Sequence, residues 1–143
     1  MPTGRVVSYA LREALRLRLA DYDWDENGFA LSGDLWRFCG HVNPHTDDQS
    51  ADTAIVGFIL DADGHRLIHG DQALVLRIGD IYILDPMVSH GVLAPHYQSV
   101  LTLFIQPVSI DSLRRFDPAA FADKALAEAD KLVRQPPPPN EML

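Results

Sequence analysis

The chain has 143 residues and a formal net charge of −8, from 20 acidic and 12 basic side chains. This length is enough for one compact domain with a hydrophobic core but not for two. The acidic balance repels a polyanion such as duplex DNA, so broad nucleic-acid binding is disfavoured. No apolar run approaches the roughly 18 residues that span a bilayer, and we therefore expect no membrane partner. The single cysteine, Cys39, cannot form an intramolecular disulfide, which favours a cytoplasmic location, and we expect it to be a small core residue.

Apolar side chains at helical spacing predict one helix near each end of the chain. The first covers residues 7–20 and is amphipathic, with arginines between its apolar positions. For the second, Asp117 is expected to be the N-cap and Pro118 the first helical residue, and the helix continues to Arg134. A proline run follows it. We therefore predict one domain over residues 1–135 and a proline-rich tail over residues 136–143.

Between these helices the sequence has the pattern of short β-strands. Polar and apolar residues alternate from Trp36 to Val42, as in a strand with two unlike faces. Further strands are expected at residues 54–60, 65–69, 73–78, 81–84, 90–93 and 99–106. Turns rich in glycine and aspartate separate them, such as residues 61–64. Strands at this even spacing predict a sandwich or barrel.

Three side chains in this region have the chemistry of a metal site. Continuing the alternation from Cys39 places His41, Asn43 and His45 on one face, joined by Asp47. His90 opens a later strand, and distant strands of a rolled-up sheet can face each other across its mouth. Two histidines and a carboxylate leave three neighbouring coordination positions free, which suits non-haem Fe(II). We predict that His45, Asp47 and His90 are the metal ligands and the catalytic centre.

Residues 36–106 also resemble the Fe(II)/2-oxoglutarate-dependent oxygenases, especially the compact prolyl-hydroxylase-like members. Asn43-Pro44-His45-Thr46-Asp47-Asp48 is similar to the first metal motif, and residues 79–85 to the strand before the distal histidine. His90-Gly91-Val92 and residues 101–105 are similar to the strand pair that follows. The resemblance implies a mainly β double-stranded β-helix (jelly roll) with the metal at one open end. It also implies Fe(II) and 2-oxoglutarate as cofactors, and hydroxylation of a small molecule or a peptide side chain.

The same resemblance implies a cation about ten residues past the distal histidine, to bind the far carboxylate of 2-oxoglutarate. A guanidinium suits this role because it forms two parallel hydrogen bonds with a carboxylate. Here the region reads Tyr97-Gln98-Ser99-Val100 and contains no cation. Gln98 is nearest to the expected position, and Arg37 shares the predicted inward face with His41. Gln98 and Arg37 are therefore the predicted cosubstrate-binding residues.

Two other functions remain open. Residues 79–86 followed by His90 are also similar to the second motif of the cupins, which share the barrel. The first cupin motif has His-x-His and a following glutamate, whereas this chain has His45-Thr46-Asp47 and no glutamate between Glu26 and Glu128. A cupin-like enzyme would bind metal without 2-oxoglutarate, and a non-catalytic β-barrel binding module is the third possible function.

An apolar strand edge in so small a barrel is compatible with a homodimer. His65 and His69, beside a predicted strand, are expected to be exposed.

Overall fold

The structure is a computed structural model that describes residues 4–6, 30–32, 34–47 and 52–133. The predicted N-terminal helix (residues 7–20) and the C-terminal tail (136–143) lie outside these residues. The strands within them are β1 (Gly4–Val6), β2 (Ala30–Ser32), β3 (Leu35–Cys39), β4 (Val42–His45), β5 (Thr53–Asp61), β6 (Arg66–His69), β7 (Gln72–Val75), β8 (Ile81–Leu84), β9 (His90–Leu93) and β10 (Val100–Ser109). The helices are α1 (Ile110–Leu113) and α2 (Pro118–Val133).

The described strands form two antiparallel sheets. The larger sheet has the order β1-β8-β5-β10-β3-β2, and the smaller one has the order β4-β9-β6-β7. From β3 to β10, consecutive strands pass from one sheet to the other, except that β6 and β7 form a hairpin within the smaller sheet. Eight strands arranged in this way make a jelly roll. The predicted mainly β double-stranded β-helix is therefore confirmed.

Helix α2 covers the outer face of the larger sheet. The Asp117 carboxylate accepts hydrogen bonds from the N–H groups of Ala119 and Ala120, at 3.1 and 3.2 Å, so the predicted N-cap is confirmed. The Phe121 ring meets Phe104 of β10 edge to face, with ring centroids 5.4 Å apart. The core on this side comprises Leu35, Val56, Phe58, Leu60, Ile81, Phe104, Phe121, Ala122, Ala125, Leu126 and Ala129.

A second core lies between the two sheets. The pleat of β5 explains why one strand serves both cores, because successive side chains point to opposite faces. Val56 and Phe58 pack toward α2, whereas Ile55, Gly57 and Ile59 face the space between the sheets. The buried members of this inner core are Ile59, Leu67, Leu76, Tyr82, Val92 and Leu101.

The strand predicted from Trp36 to Val42 is in fact two strands that belong to different sheets. The chain passes from β3 to β4 at Gly40, whose φ of 76° is in the left-handed region that favours glycine. A Cβ at this position would lie 3.1 Å from the Tyr97 carbonyl oxygen. Because the alternation of faces stops at Gly40, Arg37 and His41 do not share a face as predicted.

Three predictions of burial were wrong. Cys39, expected in the core, is exposed at the end of β3. His65 and His69, expected on the surface, are only 0% and 7% exposed. The His65 ring is held by a local contact, since its Nδ1 accepts the Asp63 N–H at 3.0 Å.

Within the described part of the chain, no helix combines the length and apolar composition that crossing a membrane requires.

Candidate metal centre

Strands β4 and β9 bring two of the predicted metal ligands together. Their antiparallel register pairs Val42 with Val92 and His45 with His90, so β4 contains one residue more than β9 between these pairs. Such a bulge re-aims the side chains that follow it and is common beside functional sites. Since β4 is the edge strand of the smaller sheet, Pro44 removes no hydrogen bond that a central strand would need. The bulge therefore sets His45 directly opposite His90.

A close approach of the two backbones supports this pairing. A Cβ on Gly91 would lie 2.6 Å from the Val42 carbonyl oxygen and 3.0 Å from the Pro44 nitrogen. Both are backbone atoms, which cannot move aside as the end of a long side chain can. Only glycine fits next to His90, and it keeps β4 close to β9.

Asp47 completes the cluster. One of its carboxylate oxygens lies 2.9 Å from His90 Nε2, and the other lies 3.4 Å from His45 Nε2. One ligating atom from each of the three residues lies within 4.8 Å of the others. The Asp47 N–H donates to the Pro86 carbonyl at 2.9 Å, which anchors the chain just after β4. The structure thus brings all three predicted ligands to one place.

Backbone carbonyls fix the orientation of both imidazole rings. His45 Nδ1 lies 2.8 Å from the Asn43 carbonyl oxygen, and His90 Nδ1 lies 2.7 Å from the Val88 carbonyl oxygen. Because a carbonyl can only accept, the Nδ1 atom of each ring donates, which leaves Nε2 as the ring atom that can bind a metal ion. Metal-binding histidines typically have such a partner on their other nitrogen.

The loop between β8 and β9 holds the Val88 carbonyl in place. The Met87 N–H donates to an Asp85 side-chain oxygen at 2.9 Å, and the Val88 N–H donates to the Asp85 carbonyl at 3.1 Å. The Gly70 N–H donates to the Ser89 carbonyl at 2.8 Å, which ties the loop to the β6–β7 turn. The segment before His90 is therefore a support for its ring.

These donors fit a divalent transition-metal ion. Two lone pairs of imidazole and a carboxylate converge, and all of them are acceptors, so the cluster requires a cation or extra protons between them. An ion with bonds of about 2.0–2.2 Å holds neighbouring ligand atoms roughly 3.0–3.4 Å apart. The two contacts of Asp47, 2.9 Å from one oxygen to His90 and 3.4 Å from the other to His45, are close to this spacing, and the three ligand atoms lie within 4.8 Å of one another. The His45 side chain is 44% exposed and His90 only 8%, so solvent reaches the cluster from one side.

The three residues line a cavity of about 520 Å³ between the two sheets. This volume is typical of a site for a small organic molecule. Apart from His45, Asp47, His90 and His41, its walls are mostly aliphatic. The remaining lining residues are Trp36, Cys39, Val42, Ile55, Gly57, Ile59, Leu67, Leu76, Tyr82, Leu84, Gly91, Val92, Leu101, Leu103 and Ile105.

The structure does not bring Arg37 or Gln98 to this cavity. Arg37 is 7% exposed, and its Nη1 lies 3.4 Å from Oγ1 of Thr102, which faces away from the cavity. Gln98 is exposed in the turn before β10, where its backbone N–H donates to His96 Nδ1 at 3.1 Å. Among the described residues that line the cavity, none is a lysine or an arginine. Neither residue therefore lines the cavity, and their predicted role in cosubstrate binding stays a prediction.

Sequence reasoning missed two kinds of functional group. The carbonyls of Asn43 and Val88 orient the rings, but a backbone carbonyl leaves no mark in a residue pattern. Gly57 and Gly91 did leave a signal, because a glycine inside an apolar strand marks a close approach or a ligand. His41 also lines the cavity. One of its ring nitrogens already has a partner, because Nδ1 accepts the Ala94 N–H at 3.0 Å.

No protein-family model matches the chain, and no curated protein is significantly similar to it. Two similar solved structures are both cupin-2 domain proteins. The one from Shewanella frigidimarina is 22% identical, covers 65% of this chain and 89% of its own, and has a TM-score of 0.38. The one from Halorhodospira halophila is 13% identical, covers 95% of this chain and 84% of its own, and has a TM-score of 0.37. At scores this low the fold class rests on the strand order described above.

Proposed function

We propose that this chain is a cupin-like metal-dependent oxygenase that does not use 2-oxoglutarate. In this proposal His45, Asp47 and His90 bind Fe(II), and the substrate binds in the adjoining cavity. The observation that supports the metal site is the convergence of three acceptors, with both imidazole tautomers fixed by backbone carbonyls. Imidazole with a carboxylate favours Fe(II), Co(II), Ni(II) or Zn(II) over Mg(II).

When bound, an Fe(II) ion supplies the redox chemistry with O₂ that no side chain can provide. The residues around it do the rest. Asp47 contributes the negative charge that retains a divalent ion, while the Asn43 and Val88 carbonyls keep the Nε2 atoms pointed at it. The aliphatic walls exclude water from a substrate held between the sheets.

The walls of the cavity argue against 2-oxoglutarate as cosubstrate. Its far carboxylate would be buried among aliphatic side chains without a lysine or arginine from the described lining residues. Burying an unpaired carboxylate costs several kcal/mol, which would offset much of the gain from chelating the metal. A cupin-like site needs no such cation.

Metal binding is the first test. Isothermal titration of the purified full chain with Co(II), and anaerobically with Fe(II), should show one ion per chain. His45→Ala, Asp47→Ala and His90→Ala should each weaken binding by at least about 100-fold, because each removes a ligand rather than a supporting group.

His96→Ala is the matched control, because His96 is exposed and lies outside the cavity. Its affinity for metal should equal that of the wild type. If the wild type binds no ion, or if all three ligand variants bind as well as it does, the metal site is refuted and a non-catalytic binding module remains.

A second measurement separates the two kinds of oxygenase. When 2-oxoglutarate is added anaerobically to the Fe(II)-loaded protein, we expect no metal-to-ligand charge-transfer band in the visible spectrum. The physical reason is the absence of a cationic partner among the described residues of the cavity. A band that appears in the wild type and is lost in His90→Ala would overturn this part of the proposal and favour a 2-oxoglutarate-dependent enzyme.

A further inference from the structure

A glycine interrupts β5, a nine-residue strand in which five side chains are buried. In β5, Gly57 is flanked by Val56 and Phe58, which pack under α2, while Gly57 itself faces the cavity. Its neighbours on the adjacent strands are Tyr82 and Ile105, which line the same cavity. A glycine in a strand interior is unfavourable, since it packs no side chain and loses more backbone freedom on folding. Its presence here therefore calls for a physical reason.

Crowding by the protein is not that reason. Among the described residues, a Cβ on Gly57 would meet only Leu103 Cδ1 at 3.8 Å and the Phe104 carbonyl oxygen at 4.0 Å, both ordinary contacts. The Tyr82 ring does not lie over this position, and φ of Gly57 is not in the left-handed region. Gly91 is the opposite case, with backbone atoms at 2.6 and 3.0 Å. The space above Gly57 is open cavity.

The polar groups of the cavity are arranged unevenly. The charged and imidazole side chains among its described lining residues are those of the metal cluster and His41. Tyr82 presents its ring, because its hydroxyl donates to the Val75 carbonyl outside the lining. The wall around Gly57 consists of Ile55, Ile59, Leu103 and similar side chains. This wall can gain free energy from an apolar surface but cannot compensate a charge.

From these observations we infer the substrate class of the proposed metal site: an apolar organic molecule that binds the ion through one polar head group and lays its apolar body over Gly57. The missing side chain at position 57 provides the room for that body, so residue 57 limits its length. This inference rests on the proposed metal function, but it concerns the apolar wall rather than the metal ligands.

Alkyl hydroxamates are suitable probes because the head group binds a metal ion and the tail can be varied. Titration calorimetry with the Co(II)-loaded full chain would compare acetohydroxamate, butyrohydroxamate and hexanohydroxamate with succinate monohydroxamate, whose tail ends in a carboxylate. We expect affinity to rise roughly threefold to fourfold for each added CH₂ that is buried. The carboxylate-tailed probe should bind at least about tenfold more weakly than butyrohydroxamate, since the wall has no cation to pair with it.

In Gly57→Leu, hydroxamates with longer alkyl tails should no longer bind more tightly than acetohydroxamate. The affinities for acetohydroxamate and for Co(II) should stay within about twofold of wild type. Gly57→Ala, whose methyl group meets only ordinary contacts, keeps the test available if Gly57→Leu does not fold, and it should lose part of the gain. Val75→Leu is the control for added bulk, because Val75 is 40% exposed and does not line the cavity. It should behave as wild type.

The possible failures are distinguishable. Absence of Co(II) binding in the wild type would overturn the proposed metal function. Normal Co(II) binding with no dependence on tail length, or with tight binding of the carboxylate-tailed probe, would overturn the substrate class alone. If the affinity for hydroxamates rises with tail length as steeply in both Gly57 variants as in the wild type, the apolar body lies elsewhere in the cavity. That result would refute the role of Gly57.

Discussion

At the scale of single residues, Gly57 and Gly91 show that the same residue type can leave room for different things. Gly91 leaves room for the backbone of β4, whose Val42 oxygen would be 2.6 Å from an added Cβ. Gly57 leaves room for the cavity, where the closest described atom would be 3.8 Å away. A methyl group should therefore be destabilising at position 91 and nearly neutral at position 57.

Gly91→Ala should destabilise the protein by about 1–3 kcal/mol, because the methyl group forces β4 away from β9. The same displacement separates His45 from His90, so the affinity for Co(II) should also fall. Urea unfolding of the metal-free protein and calorimetric titration with Co(II) measure the two effects.

Gly57→Ala is the matched control, since it makes the identical chemical change on a strand that faces open space. Its stability should stay within about 1 kcal/mol of wild type and its metal affinity should not change. Equal loss of stability in the two variants would contradict the close approach at Gly91.

At the scale of strands and helices, local pattern predicted most elements well. The strands at residues 81–84 and 90–93 were predicted with the bounds that the structure has, and the N-cap at Asp117 is confirmed. Prediction failed where the chain changes direction without changing its composition. The passage between sheets at Gly40 breaks the period of two between Arg37 and His41, so the face assigned to Arg37 was wrong. The bulge breaks the same period again within β4.

The candidate site was predictable in part for the same reason. His45 and Asp47 are close in sequence, and their side chains need only local geometry to meet. Their meeting with His90 depends on the β4–β9 register, which the spacing of the residues does not fix. The cavity was not predictable, because its volume depends on the long-range packing of two sheets. The supporting carbonyls of Asn43 and Val88 were hidden because every residue has one.

At the scale of the whole molecule, buried ionisable groups couple stability to pH. His65 is fully buried, and that burial is the main cause that lowers the pKa of its imidazole below 6.5, while Ser99, Asp63 and Asp61 oppose the shift. Burial likewise raises the pKa of Asp61, with Arg37 acting in the opposite direction. Folding therefore shifts the protonation equilibria of both His65 and Asp61 toward their neutral forms, relative to the unfolded chain.

The sign of the effect of His65 follows directly. Below pH 6.5 the unfolded chain binds a proton at His65 that the folded protein does not. The contribution of neutral His65 to the free energy of unfolding is therefore fully present above pH 6.5. As the pH falls from there through the lower pKa of the folded state, this contribution should decline by at most about 1.4 kcal/mol per pH unit.

Urea unfolding at pH 7.5, 6.5 and 5.5, with EDTA present, would compare the wild type with His65→Gln. The chelator removes metal, and all other residues are the same in both proteins, so the difference between them reports on position 65. The wild type should lose more stability than the variant on acidification. Parallel pH profiles would show that His65 titrates normally in the folded state.

The two-sided character of β5 has a consequence for how this protein can change. Val56 and Phe58 belong to the core under α2, whereas Ile55, Gly57 and Ile59 border the cavity. Side chains that point to opposite faces of a sheet share few partners, so we expect their mutational effects to be more nearly additive than those of neighbours on the same face. Selection or an engineer can therefore reshape the cavity at every second position of one strand while the intervening positions keep the helix docked. We therefore expect the shape of the cavity and the stability of the core under α2 to respond largely separately to changes along this nine-residue strand.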